Sequence, residues 1–399
     1  MGSRVVIVGA GQAGFQVAVS LRADGFDGLI ALIGDERGLP YQRPPLSKTV
    51  LAGKQHIDSV AFRPERFYQD QRIELMPGEK VAGIDRASRQ VFLAAGSRLP
   101  YDTLVLATGA RVRTLPMDGI LYLRDREHAV ELKQRLDAAA NVVVIGGGFI
   151  GLEVAAVARE SGKTVCVTEV QSRLMARAVA PVLSDFYREA HRGVGVRFAL
   201  DAAVTNVSDG EVTLGDGSTL PADLVVAGIG VVPNTELTVE AGLPTGDGIL
   251  VDDHLRTADE HIFAIGDCAD HPNVFAGGRA RIESVQNAVD QAKCVAAQIV
   301  GKSAPYSAVP WFWTDQFDLK LQMCGLSSRA DRVVTRGTME SRKFSLFYFR
   351  DRRLLAVDSM NRPADHMVGR KLLAAGTSLT PEQAEDESVD LKSLLTSAN

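Results

Sequence analysis

Two glycine-rich turns hold the residue types best suited to chemistry in this sequence. The first, Gly9-Ala10-Gly11-Gln12-Ala13-Gly14, follows the apolar run RVVIV, and the second, Gly146-Gly147-Gly148-Phe149-Ile150-Gly151, follows NVVVI. Each opens an apolar pattern at helical spacing. In such a G-x-G-x-x-G turn the first glycine makes the tight bend, the second lets backbone approach a pyrophosphate, and the third lets helix meet strand. The helix start then offers free N–H groups and the positive end of a dipole to the phosphates. An acid closes each pattern roughly twenty residues further on: Asp35, with Glu36 beside it, after LIALI, and Glu169 within KTVCVTEV. A carboxylate there accepts hydrogen bonds from a ribose diol. At the second turn it would also repel a 2′-phosphate, favouring NAD(H) over NADP(H), a preference that nearby Arg173 and Arg177 weaken. A lone glycine turn can be purely structural; strand, helix and acid together point to a dinucleotide.

Two dinucleotide sites in one chain call for a division of labour. The simplest is a bound flavin dinucleotide at one and a nicotinamide donor at the other, with hydride passing between stacked rings. That chemistry needs no acid–base triad. No Ser-His-Asp arrangement or metal-ligand cluster stands out, and the seven histidines are dispersed. Cys166, Cys268, Cys294 and Cys324 form no C-x-x-C and no metal spacing. This excludes a redox-active disulfide and suits a reducing cytoplasm. Cys166 and Cys268 sit in or beside apolar strand patterns and read as packing residues.

The elements that must position these turns recur. VVIVGAGQAGFQVA (5–18) and VVVIGGGFIGLEVA (142–155) are identical at seven of fourteen positions. LVLATGA (104–110) and LVVAGIG (224–230) repeat a buried strand ending in a small-residue turn. HIFAIGDCA (261–269) is another strand running into Gly-Asp, and RIESVQNAVDQAKCVAAQIVG (281–301) reads as one long amphipathic helix with Gly301 as its stop. Beyond Pro305, WFWTDQFDLKLQMCGL, DRVVTRG and FSLFYFRDRRLLAVDSM alternate with period two, the pattern of an antiparallel sheet. From about 380 the chain is acidic, and helical or loosely ordered. The expected fold is α/β: two tandem Rossmann-like dinucleotide-binding domains plus a C-terminal α+β domain with an antiparallel sheet.

Composition narrows the function classes. At 399 residues the chain calls for two or three domains. Its formal net charge of −5 argues against nucleic-acid binding, which needs a basic surface. No apolar run reaches the ~20 residues of a membrane span. MGSRVVIVGAG enters its strand at once, so no signal peptide is expected. Gly2 fits a myristoylation motif poorly, because Val6 stands where Ser or Thr is wanted.

The fingerprint pair, PYQRPPLSK (40–48), LVLATGA, GDCA (266–269), RIESVQNA (281–288) and PWFWTDQ (310–316) together resemble the FAD-containing, NADH-dependent ferredoxin reductases of bacterial oxygenase systems. These belong to the glutathione-reductase-like flavoprotein superfamily. The resemblance runs from about residue 4 to about 370, and PYQRPPLSK with PWFWTDQ is its specific part. It implies FAD at the first fingerprint and NADH at the second. The implied FAD domain is discontinuous (1–111 and 246–304), followed by an NADH domain at 112–245 and a C-terminal interface domain at 305–399. The implied flavin set is Gly9, Gly11, Ala13, Gly14, Asp35, Arg43, Lys48, Val81, Ala107, Thr108, Gly109, Arg124, Gly266, Asp267, Glu283 and Val285. For the nicotinamide dinucleotide the matching positions are Gly146, Gly148, Ile150, Gly151, Glu153, Glu169, Gly228 and Gly230. Catalytic roles fall by the same resemblance to Lys48, Glu153 and Trp313. Lys48, in a loop stiffened by Pro44-Pro45, is placed to reach the flavin ring, and otherwise reads as a solvated lysine. Glu153 matches a contact of the nicotinamide amide and a partner for Lys48, and otherwise reads as a helix-dipole carboxylate. Trp313 matches an aromatic approaching the flavin edge, and otherwise reads as a core tryptophan.

The implied activity is hydride transfer from NADH to FAD, then one-electron transfers to a 2Fe–2S ferredoxin. That ferredoxin would serve a haem-thiolate monooxygenase or a ring-hydroxylating dioxygenase. Thiol-dependent members of the superfamily carry a cysteine where this chain has QRPPLSK, which argues against a thiol mechanism. Segment 327–353 holds eight basic and three acidic residues; as a basic face it would steer an acidic ferredoxin, and as a solvated strand face it would not. The expected protein is cytoplasmic, a monomer or weak dimer, with no nucleic acid, membrane or metal among its partners. Rubredoxin or a small quinone-like acceptor stays open in place of ferredoxin, as does an NADH-sensing flavoprotein of the apoptosis-inducing-factor type.

Overall fold

β-Branched runs too apolar to face water on either side make the cores of this protein. In the computed structural model, which describes residues 3–396, they become parallel strands covered by helices. Contacts divide the chain into two compact units. One runs through Gln42 and takes in Ala61–Arg111 and Val232–Phe312; the other comprises Arg43–Val60, Val112–Val231 and the chain from Trp313 onward.

In the first unit, Arg4–Val8 is the middle strand of a five-stranded parallel sheet. Leu29–Gly34 and Ile73–Pro77 lie to one side, and Thr103–Leu106 and Ile262–Ala264 to the other. Val5, Val6, Ile7, Leu104, Val105 and Leu106 are fully buried in its core. Helix Gln12–Ala23 covers this sheet together with Val285–Ile299. The latter helix starts four residues later than the sequence pattern predicts. Ser284 sits in extended conformation and its hydroxyl accepts from the Asn287 N–H, so Ser284 caps the helix and residues 281–284 stay outside it. Gly301 follows its end with φ +84°.

The second unit repeats the plan. Asn141–Ile145 is central, with Thr164–Thr168 and Arg197–Ala199 on one side and Leu224–Ala227 and Ile120–Tyr122 on the other, all parallel. Each unit also carries a three-stranded antiparallel meander, Val81–Asp85 to Arg98–Pro100 in the first and Val204–Ser208 to Thr219–Ala222 in the second.

The C-terminal antiparallel sheet has the strand order Trp311–Gln316, Leu319–Gly325, Arg353–Met360, Lys343–Arg350, Arg332–Thr338. Helix Pro363–Ala375, unmarked in the sequence reading, packs on it, and its Gly369 leaves room for Val357. Phe344, Leu346 and Tyr348 join Leu183 and Tyr187 of helix Pro181–Gly193 in one apolar core. The acidic tail folds as two short helices, Pro381–Glu385 and Ser393–Thr396. Arg336, buried, donates to the carbonyl oxygens of Ala384, Asp386, Glu387 and Val389. Gly2 lies outside the described residues. Among those described, no helix is long and apolar enough to cross a membrane.

Inside the C-terminal sheet, the Tyr348 hydroxyl donates to Asp358 Oδ2 at 2.6 Å, and both side chains are buried. Burial pushes the Asp358 carboxyl up to about 7. The folded state therefore holds this proton over a range where the unfolded chain has released it, and stability falls as pH rises from about 4 to about 7. Asp358→Asn removes the ionisation but keeps an acceptor for Tyr348. Urea unfolding at pH 5, 6 and 7 should show the variant gaining on the parent by on the order of 1 kcal/mol per pH unit; parallel curves would refute the assignment.

Candidate functional site

In the first unit, Gly9 has φ +107°, and a Cβ on it would lie 2.1 Å from the Ala107 carbonyl oxygen. A Cβ on Gly14 would lie 1.8 Å from the Gly9 oxygen. The turn closes only on bare backbone. Gly11 differs: nothing lies within 4 Å of where its Cβ would stand. It is the N-cap of Gln12–Ala23, with no side-chain cap and no acid in the first turn. An open cradle beside an uncapped helix start, with no competing anion, fits a pyrophosphate. Around it, Ala13 lies against the Gly266 bend. Asp35 is exposed immediately past Leu29–Gly34, while Glu36 accepts from the Tyr41 hydroxyl at 2.5 Å.

The flanking turns of this unit are held by their own bonds. Thr108 Oγ1 donates to the Asn234 carbonyl at 2.8 Å, and Asn234 Nδ2 donates back to the Thr108 carbonyl at 2.8 Å. The Asn234 N–H reaches the Gly109 oxygen at 3.0 Å. The Gly266 N–H donates to Gln291 Oε1 at 2.7 Å, which sets the bend carrying half-buried Asp267. Val285 opens its helix and Val81 its meander strand, whereas exposed Glu283 pairs with Arg281 at 2.6 Å.

The second fingerprint has the same construction. Gly146 has φ +102° and would clash with the Gly228 oxygen at 2.6 Å; Gly151 would meet the Gly146 oxygen at 2.1 Å. Gly228 itself backs onto the Gly151 amide, 3.0 Å from where its Cβ would stand. Gly148 is the uncapped N-cap of Phe149–Glu160, its nearest atom 3.7 Å away, with no acid in the first turn. A second phosphate cradle results. Ile150 is exposed beside it, and Gly230 (φ +96°) lies near Arg177. Glu169 is fixed at its rim, accepting from the Gly147 N–H at 2.8 Å and the Gln171 N–H at 2.9 Å. Arg173 is committed elsewhere: it donates to the carbonyl oxygens of Val179 (2.8 Å) and Ala176 (2.6 Å) and to Ser184 Oγ (2.9 Å).

The same unit assembles a buried polar cluster. The double proline opens a 3-10 turn, Pro44–Ser47, that delivers Ser47 and Lys48. Lys48 Nζ lies 2.8 Å from Glu153 Oε1, the lysine 20% and the glutamate 2% exposed. Ser47 Oγ donates to Glu153 Oε2 at 2.5 Å and Thr314 Oγ1 donates to Oε1 at 2.6 Å. The burial rules out a surface helix-dipole role for Glu153. Ser47 and Thr314 were not singled out in the sequence. Alternation along Trp311–Gln316 was the available signal, for it sends Trp313 and Thr314 to opposite faces. Trp313 is half-buried, and Arg43 donates to the Arg124 carbonyl at 2.6 Å. The expected flavin residues are thus divided between the units, with Arg43, Lys48 and Arg124 in the second and the rest in the first.

Two further expectations meet the structure here. All four cysteines are free, and burial raises each thiol, Cys324 up to about 12, so none is poised as a thiolate. Seven basic residues of segment 327–353 are exposed, and four of them are paired with acids. Arg332 and Arg352 pair with Glu382, Arg342 with Asp318, and Arg350 with Asp351. Arg336 is buried on the tail.

Fold and cradles together define a flavin-type oxidoreductase with two dinucleotide sites and no thiol relay. Residues 3–292 match the pyridine nucleotide-disulphide oxidoreductases and residues 311–395 the reductase C-terminal domain. The chain is 50% identical to rhodocoxin reductase of Rhodococcus erythropolis, over 97% of this chain and 93% of that one. A solved ferredoxin reductase for the CYP199A2 system of Rhodopseudomonas palustris superposes with a TM-score of 0.95 at 50% identity, covering 98% and 99% of the two chains. The reductase of the covalent putidaredoxin reductase–putidaredoxin complex gives 0.96 at 42% identity, covering 99% of each. The protein belongs to the pyridine nucleotide-disulphide oxidoreductase family, among its ferredoxin reductases, which use FAD and NAD(P)H.

Glu169 is the residue to test for donor choice. Glu169→Ala should raise KM for NADH by roughly 10- to 100-fold, the size of a lost charged hydrogen bond, and narrow the gap to NADPH. Steady-state kinetics with both donors decides it; an unchanged ratio would remove Glu169 from the ribose site.

Proposed function

We propose that this protein is an NADH:ferredoxin oxidoreductase that supplies a 2Fe–2S ferredoxin serving a monooxygenase or a ring-hydroxylating dioxygenase. FAD held at the first fingerprint would supply a two-electron acceptor for hydride from NADH and a one-electron donor to the ferredoxin, with the proton passing to solvent. Within this reading, residues 1–111 and 246–304 hold FAD, 112–245 hold NADH, and 305–399 form the interface domain. Gly9, Gly11 and Gly14 give the first pyrophosphate its cradle, and Gly146, Gly148 and Gly151 the second. Asp35 and Glu169 take the riboses, with Glu169 favouring NADH because Arg173 is spent on carbonyl oxygens. Lys48, held by Glu153, and Trp313 orient the reacting rings. The protein works in the cytoplasm, where its four thiols stay reduced.

One observation carries the proposal. Two phosphate cradles stand in a chain whose thiols are all free and raised by burial, so electrons must leave the flavin for an outside acceptor. The pairing of four exposed arginines with Glu382, Asp318 and Asp351 favours steering by a mixed surface over a purely basic one.

Cytochrome c reduction by NADH, with and without an added 2Fe–2S ferredoxin, tests the assignment. Ferredoxin should raise the rate by roughly tenfold or more, as expected where a specific acceptor lowers the transfer barrier by over 1.4 kcal/mol. Equal rates would sink it.

A further inference from the structure

Glu153 is the end point of a longer buried chain. Thr314 and Gln316 share one face of the strand Trp311–Gln316, and both are fully buried. Gln316 Nε2 donates to Thr314 Oγ1 at 3.2 Å, leaving the threonine hydroxyl hydrogen for Glu153. Gln316 Oε1 faces His191 Nε2 at 2.8 Å. His191 comes from helix Pro181–Gly193, fully buried, its ring 4.9 Å from that of Phe317 and 6.1 Å from that of Phe198. Burial holds the imidazole down to about 4, so the ring is neutral and carries one N–H, which Gln316 Oε1 accepts.

The direction of the bonds matters. From His191 through Gln316 and Thr314, every donor points toward Glu153, and Ser47 and Lys48 donate to it from the other side. Glu153 receives only donors, the set a carboxylate takes. Hydrogen bonds aligned in series polarise one another in a low-dielectric interior. A valine at 314 would fill the same space but leave Glu153 Oε1 with Lys48 alone and the Gln316 amide without its acceptor. Apolar packing against Phe317 and Phe198 needs only a ring at 191; the Nε2–Gln316 bond orients the amide, and through it the hydroxyl.

We propose that Thr314, oriented by Gln316 and His191, is a positioning residue for the Lys48–Glu153 pair. It fixes the carboxylate so that Lys48 is presented for hydride transfer. This rests on the reading above in which that pair orients the reacting rings.

The test uses FAD-loaded enzyme mixed anaerobically with NADH in a stopped-flow spectrometer. Thr314→Val should slow flavin reduction at saturating NADH by roughly 10- to 100-fold, the scale set by sub-ångström misplacement of a positioning group, with KM for NADH changed less than about twofold. Thr314→Ser, which restores the hydroxyl but not the methyl, should recover the parent rate to within about twofold. A valine variant that reduces at the parent rate, or a serine variant as slow as valine, overturns the proposal. Glu153→Gln and Lys48→Met run alongside. If they too react at the parent rate, the role of the pair itself falls; if they are slow while Thr314→Val is not, only the present inference falls. Should Thr314→Val fail to retain FAD, Gln316→Met decides: a several-fold slower reduction supports the relay, and the parent rate refutes it.

Discussion

A carboxylate taken out of water must be met by opposite charge and by donors, because the interior does not replace the lost hydration. Glu153 is in that position, five residues into the helix that the second fingerprint opens. Its requirements recruit chain from far apart. Lys48 and Ser47 come from the proline-stiffened turn after the first fingerprint domain has begun, and Thr314 comes from the first strand of the C-terminal sheet. The second unit gathers Arg43–Val60 and the chain from Trp313 with the domain of the second fingerprint, and all these groups belong to it. The apolar part is supplied by Phe344, Leu346 and Tyr348 against Leu183 and Tyr187.

The two phosphate cradles depend on a different constraint. Where Gly14 meets Gly9, and Gly151 meets Gly146, backbone touches backbone and no side chain fits. Gly11 is a glycine for the opposite reason, since it faces open space, and Gly148 has only ordinary contact at 3.7 Å. Spacing alone therefore encodes two distinct demands, contact and clearance. Both were legible because the fingerprint expresses local sterics.

Legibility declined with sequence distance. The tandem α/β plan and the C-terminal sheet could be read from local period and motif. The helix start at Val285 was misplaced because an apolar pattern outweighed the cap at Ser284, and helix Pro363–Ala375 went unread. Ser47, Thr314, Gln316 and His191 carry no local mark of their connection, for the chain that joins them through Glu153 exists only once four segments meet. The charge of segment 327–353 is a similar case. Counting residues cannot see that Glu382 and Asp318 lie beside them.

The strand orders of the two parallel sheets match, yet their fifth strands differ in origin. The second sheet is finished by Ile120–Tyr122, just ahead of its own fingerprint, so all five strands lie between residues 120 and 227. The first is finished by Ile262–Ala264, encoded after the whole of the second. Closing a longer loop costs more chain entropy before any contact rewards it. During synthesis the second sheet can therefore close while the first sheet still exposes the edge of Thr103–Leu106. That bare edge is the place where a nascent chain is open to strand-pairing errors. The older-looking half of the molecule in sequence order is the later half to be completed.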